Sequence, residues 1–257
     1  MAIQTAERIS PYEASDKVIF VRSFFAYLEA AKIIRGTVLE IGSGMGYGLP
    51  ELVPKSTEYI TVDKYQSKLV EQYVAEGKLR FIQTTVPPLS DIGDESVDFV
   101  VCFQLIEHIR KDRILLHEIK RVLKRGGKAI ITTPNRKMSL TRNPWHIREY
   151  TVSEFQKMLS GIFSSHTIYG VYGNDKVTAY YEQNKKSVQR ITRFDIFRLQ
   201  YILPRFLLKI PYDILNRMNR KKLLNNNTGL ISEISVSDYS LKPADDYCYD
   251  IFAIAEK

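Results

Sequence analysis

Cysteine is scarce: there are 2 in 257 residues, Cys102 and Cys248. Each lies inside an apolar, strand-like run, and the two make no metal-type pair. A disulfide framework is therefore excluded, and buried free thiols in a reducing compartment are expected. No apolar run approaches the ~18 residues of a membrane span. Residues 1–8 lack the apolar core of a secretory signal, so a cytoplasmic protein is expected. No recognised RNA-reading module is present, which places nucleic acid last among partners. What is present is 44% hydrophobic residues, on a length that buries one full core plus an elaboration.

The chain is organised around Val38-Leu39-Glu40-Ile41-Gly42-Ser43-Gly44-Met45-Gly46-Tyr47-Gly48. Thr37 to Ile41 reads as a short buried strand. Gly42, Gly44 and Gly46 then let the backbone turn sharply and approach a ligand where a Cβ would collide. A helix beginning near Met45 is expected to aim its first N–H groups at whatever lies over that turn. A second apolar run, Tyr59 to Val62, ends on Asp63, 19 residues beyond Gly44. That spacing is close to the ~20 expected of a carboxylate on ribose hydroxyls.

The remaining pattern alternates strand and helix. An apolar stripe from Val18 to Ile33 predicts a helix before the first strand. Further helices are expected over 47–53, 66–76 and 113–123, with strands over 79–82, 97–103 and 128–133. Gly77, Gly93-Asp94 and Gly126-Gly127 supply turns. Such alternation argues for a parallel sheet covered on both faces, with the ligand at the carboxyl ends of its strands.

The spacing G-x-G-x-G after Glu40 resembles motif I of the class I S-adenosylmethionine-dependent methyltransferases. Asp94-Glu95-Ser96-Val97-Asp98-Phe99-Val100-Val101 followed by Glu107-His108 is similar to that family's middle region. Leu123-Lys124-Arg125-Gly126-Gly127 resembles its "L-K-P-G-G" turn, with Arg125 in place of proline. The resemblance implies an α/β, Rossmann-like, doubly wound sheet of seven mostly parallel strands. It implies S-adenosyl-L-methionine as cofactor, held by Glu40, Gly42, Ser43, Gly44, Gly46, Asp63, Lys64, Thr84, Thr85 and Gln104. Thr84 and Thr85 stand where the family usually has an acid for the adenine amino group, so backbone and weaker side-chain contacts are expected there.

Glu7-Arg8-Ile9-Ser10-Pro11-Tyr12 and Thr133-Pro134-Asn135-Arg136, with Asn143-Pro144-Trp145-His146-Ile147-Arg148-Glu149-Tyr150, resemble loops of bacterial methyltransferases tied to sugar and envelope chemistry. Gln104, Glu107 and His108 are spaced to share one face of a helical turn. His108 and His146 are the candidate general bases, with Glu107 beside them, because imidazole titrates near working pH. The bland alternative is a structural contact at each. Small-RNA 2′-O-methyltransferases carry a similar "E-x-x-E-H" and a distant "H-x-x-E-[WY]-T" that bind a divalent metal. Gln104 replaces the first acid, and a neutral amide holds a hard cation more weakly, so no metal site is assigned.

A tight hairpin usually joins the last two strands of this family. Here about seventy residues intervene between a strand over 163–171 and one over 247–255. Residues 182–222 carry eleven Lys/Arg against three acids, a net of +8 equal to that of the whole chain. Phe194, Phe197, Tyr201, Ile202, Phe206, Leu207, Ile210, Ile214, Leu215 and Met218 recur at helical spacing, and Pro204 and Pro211 are expected to break the run into short helices. Asn225 to Gly229 reads as a turn or loop. Such a segment packs on the sheet or on a second subunit, or meets an anionic membrane surface, the inner face for a cytoplasmic protein.

The expected organisation is an N-terminal helical cap over 1–36, a core over 37–174, a basic helical insertion over 175–246 and a last core strand over 247–257. The expected function is S-adenosylmethionine-dependent O-methylation of a sugar, glycan precursor or other small hydroxylated metabolite. RNA ribose 2′-O-methylation and a cofactor-binding protein without turnover are the alternatives.

Overall fold

The computed structural model describes residues 9–193, 195 and 199–257. Glu7 and Arg8 of the N-terminal motif, and Phe194, Phe197 and Arg198 of the insertion, lie outside the described residues.

Helix α1 (Lys17–Ala31) leads to β1 (Thr37–Ile41), and α2 (Leu49–Leu52) follows the glycine turn. Next come β2 (Glu58–Asp63), α3 (Lys68–Ala75), β3 (Arg80–Gln83), β4 (Val97–Phe103), α4 (Asp112–Val122) and β5 (Leu123–Pro134). Then follow α5 (Val152–Ser160), β6 (Ser165–Gly173), α6 (Asp175–Thr192), α7 (Leu199–Ile202), α8 (Arg205–Asn226), α9 (Thr228–Glu233), β7 (Tyr239–Pro243) and β8 (Asp250–Glu256). The strands form one sheet in the order β3-β2-β1-β4-β5-β8-β6-β7. Strands β1 to β5 are parallel neighbours, while β8 runs antiparallel between β5 and β6.

The α/β doubly wound architecture is present, with eight strands among the described residues where seven were expected. The extra strand, β7, pairs antiparallel with β6 at the sheet edge, Tyr239 opposite Gly173 and Pro243 opposite Tyr169. Its few residues alternate too briefly to stand out beside the helical pattern before them.

Side chains alternate across the sheet, as the period of two requires. Leu39, Ile41, Val100, Cys102, Ile251 and Ala253 pack on one face with α4 and α5. Val38, Phe99, Val101, Phe103 and Phe252 pack on the other with α1, α6 and the end of α8. Both cysteines are buried free thiols. The Gly126-Gly127 turn lies inside the β4–β5 ladder. Val97 pairs with Leu123 and Phe99 with Lys128, so residues 124–127 bulge out between two paired positions.

Three local expectations are corrected. The helix after the glycine turn starts at Leu49 and is four residues long, because Gly42, Gly44 and Gly46 all have positive φ and Gly46 N–H bonds back to Ser43 O. Pro204 does stand before a helix, yet Pro211 sits inside the 22-residue α8 without ending it. Asn225 and Asn226 are the last residues of α8, and Thr228 and Gly229 begin α9.

The insertion is fastened to the rest by charge. Asp16, fully buried before α1, receives Arg217 Nη1 at 2.9 Å and Arg220 Nη1 at 2.9 Å from α8. Ser10 N–H also donates to its Oδ2 at 3.1 Å. Among the described residues no helix is long and apolar enough to cross a membrane. Removing one partner of a buried ion pair strands the other, so Asp16→Ala is expected to cost about 3–5 kcal/mol of stability. Urea unfolding checks this, and a midpoint equal to wild type would show that the two arginines find other partners.

Candidate functional site

Parallel strands β1 to β5 end on one side of the sheet, and the predicted residues gather there. Gly42 N–H bonds to Val62 O at 2.8 Å, so the turn leaves β1 still paired to β2. At Gly42 φ is +83°, and a Cβ would lie 3.0 Å from the Leu105 side chain, so only glycine fits. Asp63 Oδ2 accepts from Gly44 N–H at 2.9 Å, and its Oδ1 accepts from Tyr65 N–H at 3.1 Å. The carboxylate thus braces the glycine turn from the end of β2. Lys64, Thr84 and Thr85 line a second small cavity with Tyr65 and Gln83. Gln83 went unassigned in the sequence; its amide donates to Lys64 O at 2.9 Å and holds that cavity's wall.

The turn suits an adenosyl cofactor with several polar groups. Ser43 Oγ is buried with no hydrogen-bond partner among the described residues, a donor left facing inward. Space over Gly44 is open. Glu40 takes another place. It is buried behind the turn and accepts from Tyr27 OH at 3.1 Å and from Tyr59 OH at 2.9 Å. Gly48 has no Cβ because the Tyr27 ring occupies that space. Glu40 therefore supports the turn from below rather than lining either cavity.

Farther along the same edge stands Gln104, whose φ of +49° puts it in the left-handed region. It precedes the turn Ile106–His108, so Gln104 does not share a helical face with Glu107 and His108 as the spacing predicted. Its side chain lies beside buried Asp250, which Arg22 Nε meets at 2.9 Å. Glu107 is buried. Its carbonyl accepts from Ile147 N–H at 2.7 Å and Arg148 N–H at 3.1 Å, and its carboxylate accepts from Thr133 Oγ1 at 3.1 Å. Those backbone bonds draw the loop after β5 against the turn after β4, and the rings of His108 and His146 meet edge to face at 4.8 Å.

The hydrogen bonds set the tautomers. His108 Nδ1 lies 3.0 Å from Trp145 O, which only accepts, so the proton is on Nδ1. His146 Nδ1 donates to Glu149 Oε1 at 2.6 Å, and its Nε2 accepts from Asn143 Nδ2 at 2.9 Å. Asn143 Oδ1 accepts from Trp145 N–H at 3.0 Å, which fixes the amide's direction. Glu149 and Asn143 had no role in the sequence reading, although the i, i+3 spacing from His146 was the available signal. Ligand atoms of Glu107, His108 and His146 lie within 4.8 Å of one another.

These groups form part of the floor of a cavity of about 730 Å³. Its roof comes from α6, α7 and α8, with Val188, Leu203, Leu207 and Leu208 among the lining. The roof is tied to the histidine loop: Trp145 Nε1–H donates to Asp213 Oδ1 at 3.0 Å, and Lys209 Nζ sits 4.0 Å from the Trp145 ring centre. Arg142 Nη1 donates to Gln200 O at 2.8 Å.

Burial raises Glu40 from 4.5 to about 7, against the two tyrosine hydroxyls, which favour the carboxylate. A carboxyl raised on folding binds more protons folded than unfolded in that window. Its contribution to stability is therefore full below pH 4.5 and lost as pH rises to about 7. Glu40→Gln is expected to remove about 3 kcal/mol of this pH dependence. Urea unfolding of wild type and variant at pH 5 and pH 8 measures it, and parallel curves would overturn the assignment.

The comparisons agree with this geometry. Residues 39–131 match the methyltransferase-domain family. A probable S-adenosylmethionine-dependent methyltransferase of Mycolicibacterium smegmatis is 30% identical over 161 residues, covering 60% of this chain and 62% of that protein. A ubiquinone biosynthesis O-methyltransferase of Rickettsia conorii is 28% identical over 103 residues, 38% of this chain and 35% of that protein. The chain thus spans about three-fifths of the length of the first of these relatives. In fold it is similar to an S-adenosylmethionine-dependent methyltransferase of Thermotoga maritima, with TM-score 0.54 and 14% identity over 94% of this chain and 91% of that one. Residues 39–131 thus carry a methyltransferase domain, and the strand order and glycine turn around it are similar to those of S-adenosylmethionine-dependent methyltransferases.

Proposed function

We propose that the protein transfers a methyl group from S-adenosylmethionine to a hydroxyl oxygen of a small hydroxylated metabolite, such as a sugar or glycan precursor. The observation that carries the reading is the His146–Glu149 pair on the floor of the large cavity. The cofactor fits the edge formed by Gly42, Ser43, Gly44, Gly46 and Asp63, with Lys64, Thr84 and Thr85 beside it. Bound there, it supplies a methyl carbon already activated by its sulfonium. The protein's task is to position an acceptor oxygen and to take its proton.

His146 Nε2 is the proton acceptor in this reading. An acceptor hydroxyl takes the place of the Asn143 amide, and its proton passes to Nε2. Glu149 then stabilises the imidazolium through the Nδ1–H bond. His108, with its proton held on Nδ1 by Trp145 O, stands edge to face beside the His146 ring. Glu107 positions both rings through its two backbone bonds. Oxygen methylation is also what the name of the Rickettsia relative states of that protein. In this reading the N-terminal helix and residues 175–246 are the acceptor cover, residues 37–174 and 247–257 the core, and the site of action the cytoplasm.

The clustering of Glu107, His108 and His146 supports a second reading, in which a divalent ion orients the acceptor hydroxyl, as in RNA ribose methylation. Gln104, turned to Asp250, brings no anionic ligand to it.

Two measurements test the proposal. Asp63→Ala is expected to weaken cofactor binding by about 1–3 kcal/mol in calorimetry, and unchanged affinity would remove Asp63 from the site. His146→Ala is expected to lower turnover by about 10²–10⁴-fold with cofactor affinity preserved, and Glu149→Gln to lower it in the same direction. Label transfer from methyl-labelled cofactor to a panel of sugars and catechols reads this. Turnover abolished by a chelator and restored by a divalent ion would select the metal reading instead.

A further inference from the structure

Helix α8 carries apolar side chains on both its sides. Inward, Leu208, Tyr212, Asn216 and Asn219 line the cavity, and Arg217 and Arg220 meet Asp16. Its outward positions are apolar, with Phe206 71%, Ile210 71%, Ile214 55% and Met218 62% exposed at i, i+4 spacing. Ile202 of α7, 71% exposed, extends the same kind of surface before α8 begins. Single exposed apolar residues need no explanation, but a continuous row of this size marks a contact surface.

Charge indicates what covers it. Lys221 and Lys222 are exposed and follow Met218 by three and four residues, so they continue the apolar row. Between Leu199 and Asn226 the only acid is Asp213, engaged by the Trp145 indole. A second copy docked through this face would offer Lys221 and Lys222 no available carboxylate. A surface combining hydrocarbon with negative headgroups matches both halves of the row. The face also runs into the cavity, because Leu199, Leu207 and Leu215 line it while remaining 44%, 51% and 45% exposed.

We propose that the outer face of α7 and α8 docks on an anionic lipid bilayer, with Ile202, Phe206, Ile210, Ile214 and Met218 inserted and Lys221 and Lys222 at the headgroups. Arg217 and Arg220, which the charge count alone groups with these lysines, take no part because they hold Asp16. The cavity mouth then opens at the lipid surface, which suits an acceptor carrying an apolar tail.

Sedimentation of the full-length protein with vesicles tests the proposal without any methyl transfer. Vesicles of phosphatidylcholine mixed with phosphatidylglycerol are expected to bind it at least about tenfold more strongly than phosphatidylcholine alone, and added salt to weaken that binding. The double variant Ile210→Ser/Ile214→Ser, at positions that line neither cavity, is expected to lose the binding. Lys221→Glu/Lys222→Glu is expected to lose its preference for the anionic vesicles. Calorimetry with S-adenosylmethionine shows that both variants remain folded. Wild type left in the supernatant with anionic vesicles at low salt would overturn the proposal, as would serine variants that bind like wild type. A wild-type dimer that the serine variants convert to monomer, with no lipid binding, would assign the face to a second copy instead.

Discussion

Parallel pairing is the constraint on which the site depends. Strands β1 to β5 run the same way, so their last residues and the loops after them open on one side. Gly42, Asp63, Gln83, Gln104 and Asn135 stand at successive exits from the sheet. Their backbone is committed to the ladder up to that point, which fixes their mutual positions without contact between their side chains. The buried Asn135 closes the row, since its amide donates to Asp246 O at 3.1 Å and Cys248 O at 2.9 Å, joining the β5 exit to the approach to β8. Rigid strands thus carry the glycine turn and Asp63, and the loop that holds His146 is stapled beside them.

Beneath that edge lie polar groups that a core of this kind usually avoids. Glu40 sits under the glycine turn with two tyrosine hydroxyls, and Asp250 sits under Gln104 with Arg22. Burial raises both carboxyls. Each lies directly behind a residue with positive φ, and at Gln104, which is not glycine, that sparsely populated backbone needs support.

Much of this was legible in the residues. The G-x-G-x-G spacing and the 19-residue step to Asp63 located the glycine turn and the carboxylate that braces it, because both follow from local backbone geometry. The two histidines were legible as types but not as a pair; their partners Glu149 and Asn143 depend on how one loop folds back. Periodicity identified an amphipathic insertion without showing which side of α8 faces inward, since a hydrophobic row has the same period whether it meets core or solvent. Charge counting failed similarly at Arg217 and Arg220, whose buried partner Asp16 lies some two hundred residues away. Pro211 misled because the rule against proline describes a cost, and a long helix anchored at its far end tolerates it.

Strands β6 and β8 are adjacent in the sheet, from Ser165 opposite Glu256 to Val171 opposite Asp250. Everything from α6 through β7 is therefore an excursion that leaves and re-enters the fold at one place. Closure entropy grows only logarithmically with the length of such an excursion. Evolution can lengthen, shorten or exchange this cassette while the pairing of β6 and β8 is kept. The strand exits that hold Gly42 and Asp63 can then stay fixed while the cassette diverges, since the two are encoded in stretches of chain that mutate independently.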